Sequence, residues 1–211
     1  MATEPKAFEC IQMVQRQGKP RTAGLTYARD LGLGLRALES VFESSAEYID
    51  ILKLTSFVPR IQSRKLISDK IKLCQKYNVE VGLGGALLEI ALLQGPKTVK
   101  AFLDEVCDLG ITHVEVCRQA VIMPLSHLLD LIGLVKDMGI HPLAEVGVAY
   151  GITADEEVYV DEAKLIGTMK KCLEAGAWKV LLESEGLTES RHKKDYRWDV
   201  VSKVANAFDP D

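Results

Sequence analysis

His113-Val114-Glu115-Val116-Cys117-Arg118 decides the fold. It reads as a short buried strand with its last residues polar and a helix-period segment on either side. Apolar residues bracket one carboxylate, and a carboxylate removed from water must be paired or protonated, or its desolvation destabilises the fold. The same design recurs at Leu143-Ala144-Glu145-Val146-Gly147 and at Val180-Leu181-Leu182-Glu183-Ser184-Glu185. Three strands therefore each aim a glutamate at one place, and in a parallel α/β fold that place is the carboxyl end of the sheet, where ligands bind.

Outward from this stretch, strands and helices alternate. Strands are expected at 22–29 (ending at Asp30), 48–54, 79–83, 113–118, 141–148 and 178–182, with helices at 35–42, 63–77, 86–93, 98–109, 125–138, 161–175 and 198–208. The 48–54 segment is almost continuously apolar apart from Asp50 and Lys53, as a strand covered on both faces should be. The repeat of roughly 30 residues is the size of one βα unit, and such alternation implies a parallel sheet with right-handed crossovers. A short helix is expected over 10–17, broken by Gln17-Gly18-Lys19-Pro20. Residues 1–20 read as a loosely docked N-terminal extension and residues 21–211 as one domain.

The 211 residues are 47% hydrophobic and 27% charged, which is ordinary for a globular chain. A net charge of -4 with scattered lysines and arginines offers no footprint for nucleic acid or an anionic membrane. The five cysteines lack metal-ligand or CxxC spacing and read as reduced thiols, Cys117 as a buried inert one. With neither a secretory leader nor a long apolar run, a cytoplasmic location is expected.

Several of these stretches, in the same order and at similar spacing, resemble phosphosulfolactate synthase: Asp30-Leu31-Gly32 with Gly34, Tyr48 to Leu54, Gly84-Gly85 with Glu89, His113 to Val116, Glu145-Val146-Gly147, and Ala175 to Val180. Glu183 to Glu189 resembles the branch that includes plant heat-stress-associated proteins. The resemblance implies a (β/α)8 TIM-like barrel and an enzyme that adds sulfite to phosphoenolpyruvate with Mg²⁺, the first step toward coenzyme M in methanogens. Only about six βα units are present, so the barrel is expected to be incomplete, a fragment or shortened member completed by a partner chain or by homo-oligomerisation.

Within that resemblance, Asp30, Glu115 and Glu145 are candidates for holding the metal. Lys53 would pair with an anionic substrate, with Glu145 and Glu183 beside it in the catalytic set and Glu185 completing the ring. Gly84-Gly85 either admits a phosphate to its N–H groups or makes a tight turn without a ligand. Where the methanogen enzymes carry Asp-Lys-Gly and Ser-Asp-Gly, this chain has Asp30-Leu31-Gly32 and Cys117-Arg118-Gln119, which leaves Arg118 as the new cation placed to bind substrate. His113 and His141 read as rim or capping residues, and Arg191-His192-Lys193-Lys194 as a solvated loop or an anion-attracting lid. Two rivals accompany the enzyme reading: a catalytically silent barrel with a heat-stress-protection or protein-interaction role, and a barrel enzyme acting on another small anionic substrate.

Overall fold

A strand survives in the middle of a parallel sheet when apolar residues fill both of its faces, and this chain supplies them. Ile51, Leu52, Leu54, Val81, Leu83, Val114, Val116, Leu143, Ala144 and Val146 are all buried. The computed structural model describes residues 7–55, 57–147, 161–183 and 197–208. Its six strands are β1 (Tyr27–Asp30), β2 (Ile51–Leu54), β3 (Glu80–Leu83), β4 (His113–Val116), β5 (His141–Val146) and β6 (Lys179–Leu182). They lie side by side in chain order, every neighbouring pair parallel.

The crossovers are helical: α1 (Leu35–Ser45), a single turn α2 (Val58–Ile61), α3 (Arg64–Lys76), α4 (Ala86–Gln94), α5 (Pro96–Leu109), α6 (Leu125–Asp137), α7 (Glu162–Glu174) and α8 (Trp198–Ala207). The helices bury apolar stripes in the core, as Leu38 and Phe42 do from α1 and Leu128, Ile132 and Val135 from α6. Boundaries follow local chemistry. Ser63 Oγ accepts from Leu66 N at the start of α3, and Gly110, at φ +77, ends α5 in a left-handed turn.

The inner face is concave, since Tyr27 of β1 reaches Gly82 of β3 and Lys53 of β2 reaches Glu115 of β4. Among the described residues β1 and β6 each have one strand neighbour, so the sheet is a partial barrel, as six βα units predict. No helix among the described residues is long and apolar enough to cross a membrane.

Some expectations fail for local reasons. Residues 10–17 form no helix; Ile11 and Val14 are 61% and 92% exposed, with no apolar face to bury. The segment that follows is pinned at the base of the sheet: Arg21 Nη1 meets Asp50 Oδ1 at 2.8 Å, and Lys19 Nζ donates to Asn78 O at 3.0 Å. Asp50 also accepts from Thr26 N, so β2 begins after it, at Ile51, and Ala46–Tyr48 is a 3-10 turn. His113 is not a rim residue. Its ring is fully buried against His141 and Trp178, with centroids 4.6–5.3 Å apart across the three rings, and burial with neighbouring His141 holds its pKa down to about 4. A hollow of about 830 Å³ opens at this base, lined in part by Arg21, Asp50, Thr112, His141 and Trp178.

Asp30, expected among metal ligands, is structural. Its Oδ2 lies 2.6 Å from Lys70 Nζ of α3, both side chains with no exposure, and its Oδ1 accepts from Gly32 N and Leu33 N at 2.8 and 2.7 Å. The pair closes the β1–α1 turn and fastens α3 to it. Removing one partner of a buried pair leaves an uncompensated charge, so Lys70→Met is expected to cost about 3–5 kcal/mol of unfolding free energy, read from the urea midpoint.

Candidate active site

Strand alternation places the charges. Lys53 sits between Leu52 and Leu54, which are buried on the opposite face, so its side chain points inward. There its Nζ meets Glu115 Oε1 at 2.5 Å, with the two side chains 15% and 2% exposed. The strand between them contributes Gly82, and a Cβ at that position would stand 2.7 Å from Tyr27 Oη. The missing side chain leaves room for Tyr27. Burial and the charge of Glu115 hold the Tyr27 phenol protonated, far above its ordinary range. Lys53 Nζ lies 5.8 Å from the centre of the Tyr27 ring.

Glu145 of β5 and Glu183, just past β6, complete the group. Burial first, then a hydrogen bond with Glu183 and the charge of Glu115, raise the Glu145 pKa to about 9 against the pull of Lys53. At neutral pH the hydrogen-bonded pair of Glu145 and Glu183 therefore holds a proton between them. Glu183 Oε2 also accepts from Gln119 Nε2 at 3.0 Å. Close approach explains Gly147, where a Cβ would run into that of Glu183.

The structure thus brings Lys53, Glu115, Glu145 and Glu183 together and separates the other candidates from them. Asp30 belongs to Lys70. Gly84 N donates to Leu54 O at 3.0 Å and Gly85 N to Glu115 Oε2 at 3.3 Å, so neither amide is left for a phosphate. A Cβ on Gly85 would fall onto Cys117 Sγ, which makes the pair a close-packing turn. Arg118 is half-buried, with no hydrogen bond or ion pair among the described residues. Its charge is felt at the Cys172 thiol of α7, and Lys53 is the cation that acts on Glu145. Among the described residues no group of three or more His, Cys, Asp or Glu is arranged to hold a metal, and Asp30, paired with Lys70, is not brought together with Glu115 and Glu145. Glu185, Val148-Ala149 and Arg191-His192-Lys193-Lys194 lie outside the described residues.

Glu89 of α4, present in the family resemblance without a role, positions one wall of this group. Its buried carboxylate accepts from Val121 N at 2.9 Å, Ala120 N at 3.1 Å and the Cys117 thiol at 3.3 Å, and so holds the loop after β4 that carries Arg118 and Gln119. Burial and Glu89 push the Cys117 thiol far up, which keeps it inert as expected. A lone acid inside the apolar run Ala86 to Leu93 was the available signal, the same one that marked Glu115.

The family model described as (2R)-phospho-3-sulfolactate synthase (ComA) matches residues 14–211. Phosphosulfolactate synthase of Methanothermobacter thermautotrophicus is 28% identical over 80% of this chain, and the match spans 64% of that protein. The enzyme of the same name from Methanocaldococcus jannaschii is 29% identical over 85% of this chain and 72% of its own length. Protein HEAT-STRESS-ASSOCIATED 32 of Arabidopsis thaliana is 24% identical over 94% of this chain and 75% of its own length. Among solved structures, the carboxyl transferase domain of Rhizobium etli pyruvate carboxylase with 3-hydroxypyruvate superposes with a TM-score of 0.57 at 13% identity, covering 87% of this chain and 34% of that one. That likeness concerns the fold alone.

The raised Glu145 pKa has a sign. Between its ordinary value of 4.5 and about 9, the folded chain holds a proton that the unfolded chain has released, so each rise in pH through that window favours unfolding. Glu145→Gln keeps the hydrogen bond and removes the ionisation. The variant is expected to gain on the native chain progressively from pH 5 to pH 9 in urea-unfolding midpoints.

Proposed function

Because the chain belongs to the phosphosulfolactate synthase family, we propose that its strand-end site adds sulfite to phosphoenolpyruvate to give phosphosulfolactate. The observation that carries this reading is the meeting of an ammonium group, Lys53, with a protonated carboxyl, Glu145, on the inner face of one sheet. In the proposed step the sulfite sulfur donates its lone pair to the methylene carbon of the enol phosphate, forming the C–S bond. The π pair moves to the carbon bearing the phosphate and spreads into the adjoining carboxylate. Glu145 then delivers its proton to that carbon and recovers one from water. Sulfite and a proton are added across the double bond, and nothing leaves.

Charge builds on the substrate carboxylate during the attack, and Lys53 opposes it there. Glu115 is the positioning residue, holding the ammonium group at 2.5 Å. A metal ligand must be deprotonated, which disfavours Glu145 and favours Glu183, already fixed by Gln119. One or two carboxylates suffice for Mg²⁺, which keeps water and substrate oxygens in its shell. Bound there, Mg²⁺ would supply further neutralisation of the substrate carboxylate.

A second reading draws on the match of 94% of this chain to a plant protein named for heat stress: a non-catalytic role in heat-stress protection or protein interaction. Sulfite consumption in the presence of phosphoenolpyruvate and Mg²⁺ separates the two. Turnover is expected, with Glu145→Gln slower by about 10²–10⁴-fold, the usual contribution of a positioned acid. No turnover, and no calorimetric heat with either ligand, would favour the second reading.

A further inference from the structure

Successive side chains of a strand point to opposite faces, and β1 obeys this. Ala28 packs against the core and Asp30 reaches Lys70 of α3, so both belong to the helix side. Tyr27 lies on the inner side, against Gly82 and beneath Lys53. Arg29, two residues after Tyr27, shares that inner wall one layer nearer the strand ends. Its register partner on β2 is Lys53.

Two cations are therefore side by side on adjacent strands, an arrangement that destabilises a sheet unless an anion answers it. Lys53 has its counter-charge in Glu115. Arg29 is exposed and makes no hydrogen bond or ion pair among the described residues. The outer layer of this wall thus presents a guanidinium with no counter-charge among the described residues, on a backbone about 4.8 Å from the one that carries Lys53.

We propose that Arg29 is a substrate-binding residue that grips a phosphate monoester while Lys53 faces a carboxylate on the same carbon. The substrate class is that of the proposed reaction, a 2-phosphorylated carboxylic acid, which carries both anionic groups on one carbon. The planar fork of Arg29 suits two phosphate oxygens, and the ammonium of Lys53 serves as a point charge for the carboxylate. The choice of this class rests on the reading above, whereas the grip on phosphate stands on the register of β1 and β2.

Calorimetric titration of the whole chain with phosphoenolpyruvate, and with pyruvate as the probe lacking phosphate, tests it. Arg29→Gln is expected to weaken phosphoenolpyruvate binding about 10–100-fold and leave pyruvate binding unchanged, and Arg29→Lys, which keeps the charge and loses the fork, to fall between Arg29→Gln and the native chain, both variants melting with the native chain. Phosphoenolpyruvate binding that Arg29→Gln leaves intact, equal loss of both probes, or no phosphoenolpyruvate binding by the native chain would overturn the proposal. The sulfite assay keeps this result apart from the proposed reaction. Arg29-dependent binding without turnover retains the subsite and removes the reaction, while turnover with an unchanged KM in Arg29→Gln does the opposite.

Discussion

The ion pair of Lys53 and Glu115 is the constraint around which the inner face is built. Both charges lie where water scarcely reaches, and neither is tolerable there without the other. Their strands are not neighbours, so the pair spans β3, where Gly82, bare of a side chain, makes room for the Tyr27 ring that lies beneath Lys53. A requirement of electrostatics thus becomes one of shape. Gly85 adds to it by donating its amide to the second oxygen of Glu115, which ties the turn after β3 to β4.

Once Lys53 is committed to Glu115, the neighbouring carboxyls on β5 and β6 have too little positive charge to ionise together. The outcome is a proton held on Glu145 and a hydrogen bond to Glu183. Burial creates this acid, because it withdraws the solvation that would otherwise let both groups lose their protons. On the opposite wall Arg29 adds positive charge without burial. The partial barrel therefore offers a graded surface, cationic at β1 and β2 and proton-bearing at β5 and β6, that suits an anion which must be both held and protonated.

Much of this was legible in the amino-acid order. The parallel alternation, the six βα units and the recurrence of Glu115, Glu145 and Glu183 at strand ends were readable because period and polarity are local properties. What escaped depended on partners far away in sequence. Asp30 at a strand end looks like a ligand until Lys70 is seen on the buried stripe of α3, where Ile67 and Ile71 also lie. A lysine inside an apolar helical face was the available clue. The Gly84-Gly85 pair carries the same composition whether it cradles an anion or makes way for Cys117, and only the contact distinguishes the two. Arg29 was taken as the end of a strand, and its worth appears only when register sets it beside Lys53.

The bare position on β3 has a consequence for how this protein can change. Tyr27, Lys53 and Glu115 enter one notch from three different strands, and each occupies space and charge that the other two must accommodate. Residues in such contact do not contribute independently, and the departure from additivity commonly reaches 0.5–3 kcal/mol. The three positions are therefore energetically coupled: a change at one alters what the other two can accept, so this corner of the inner face is remodelled more readily by joint replacement than by one substitution at a time.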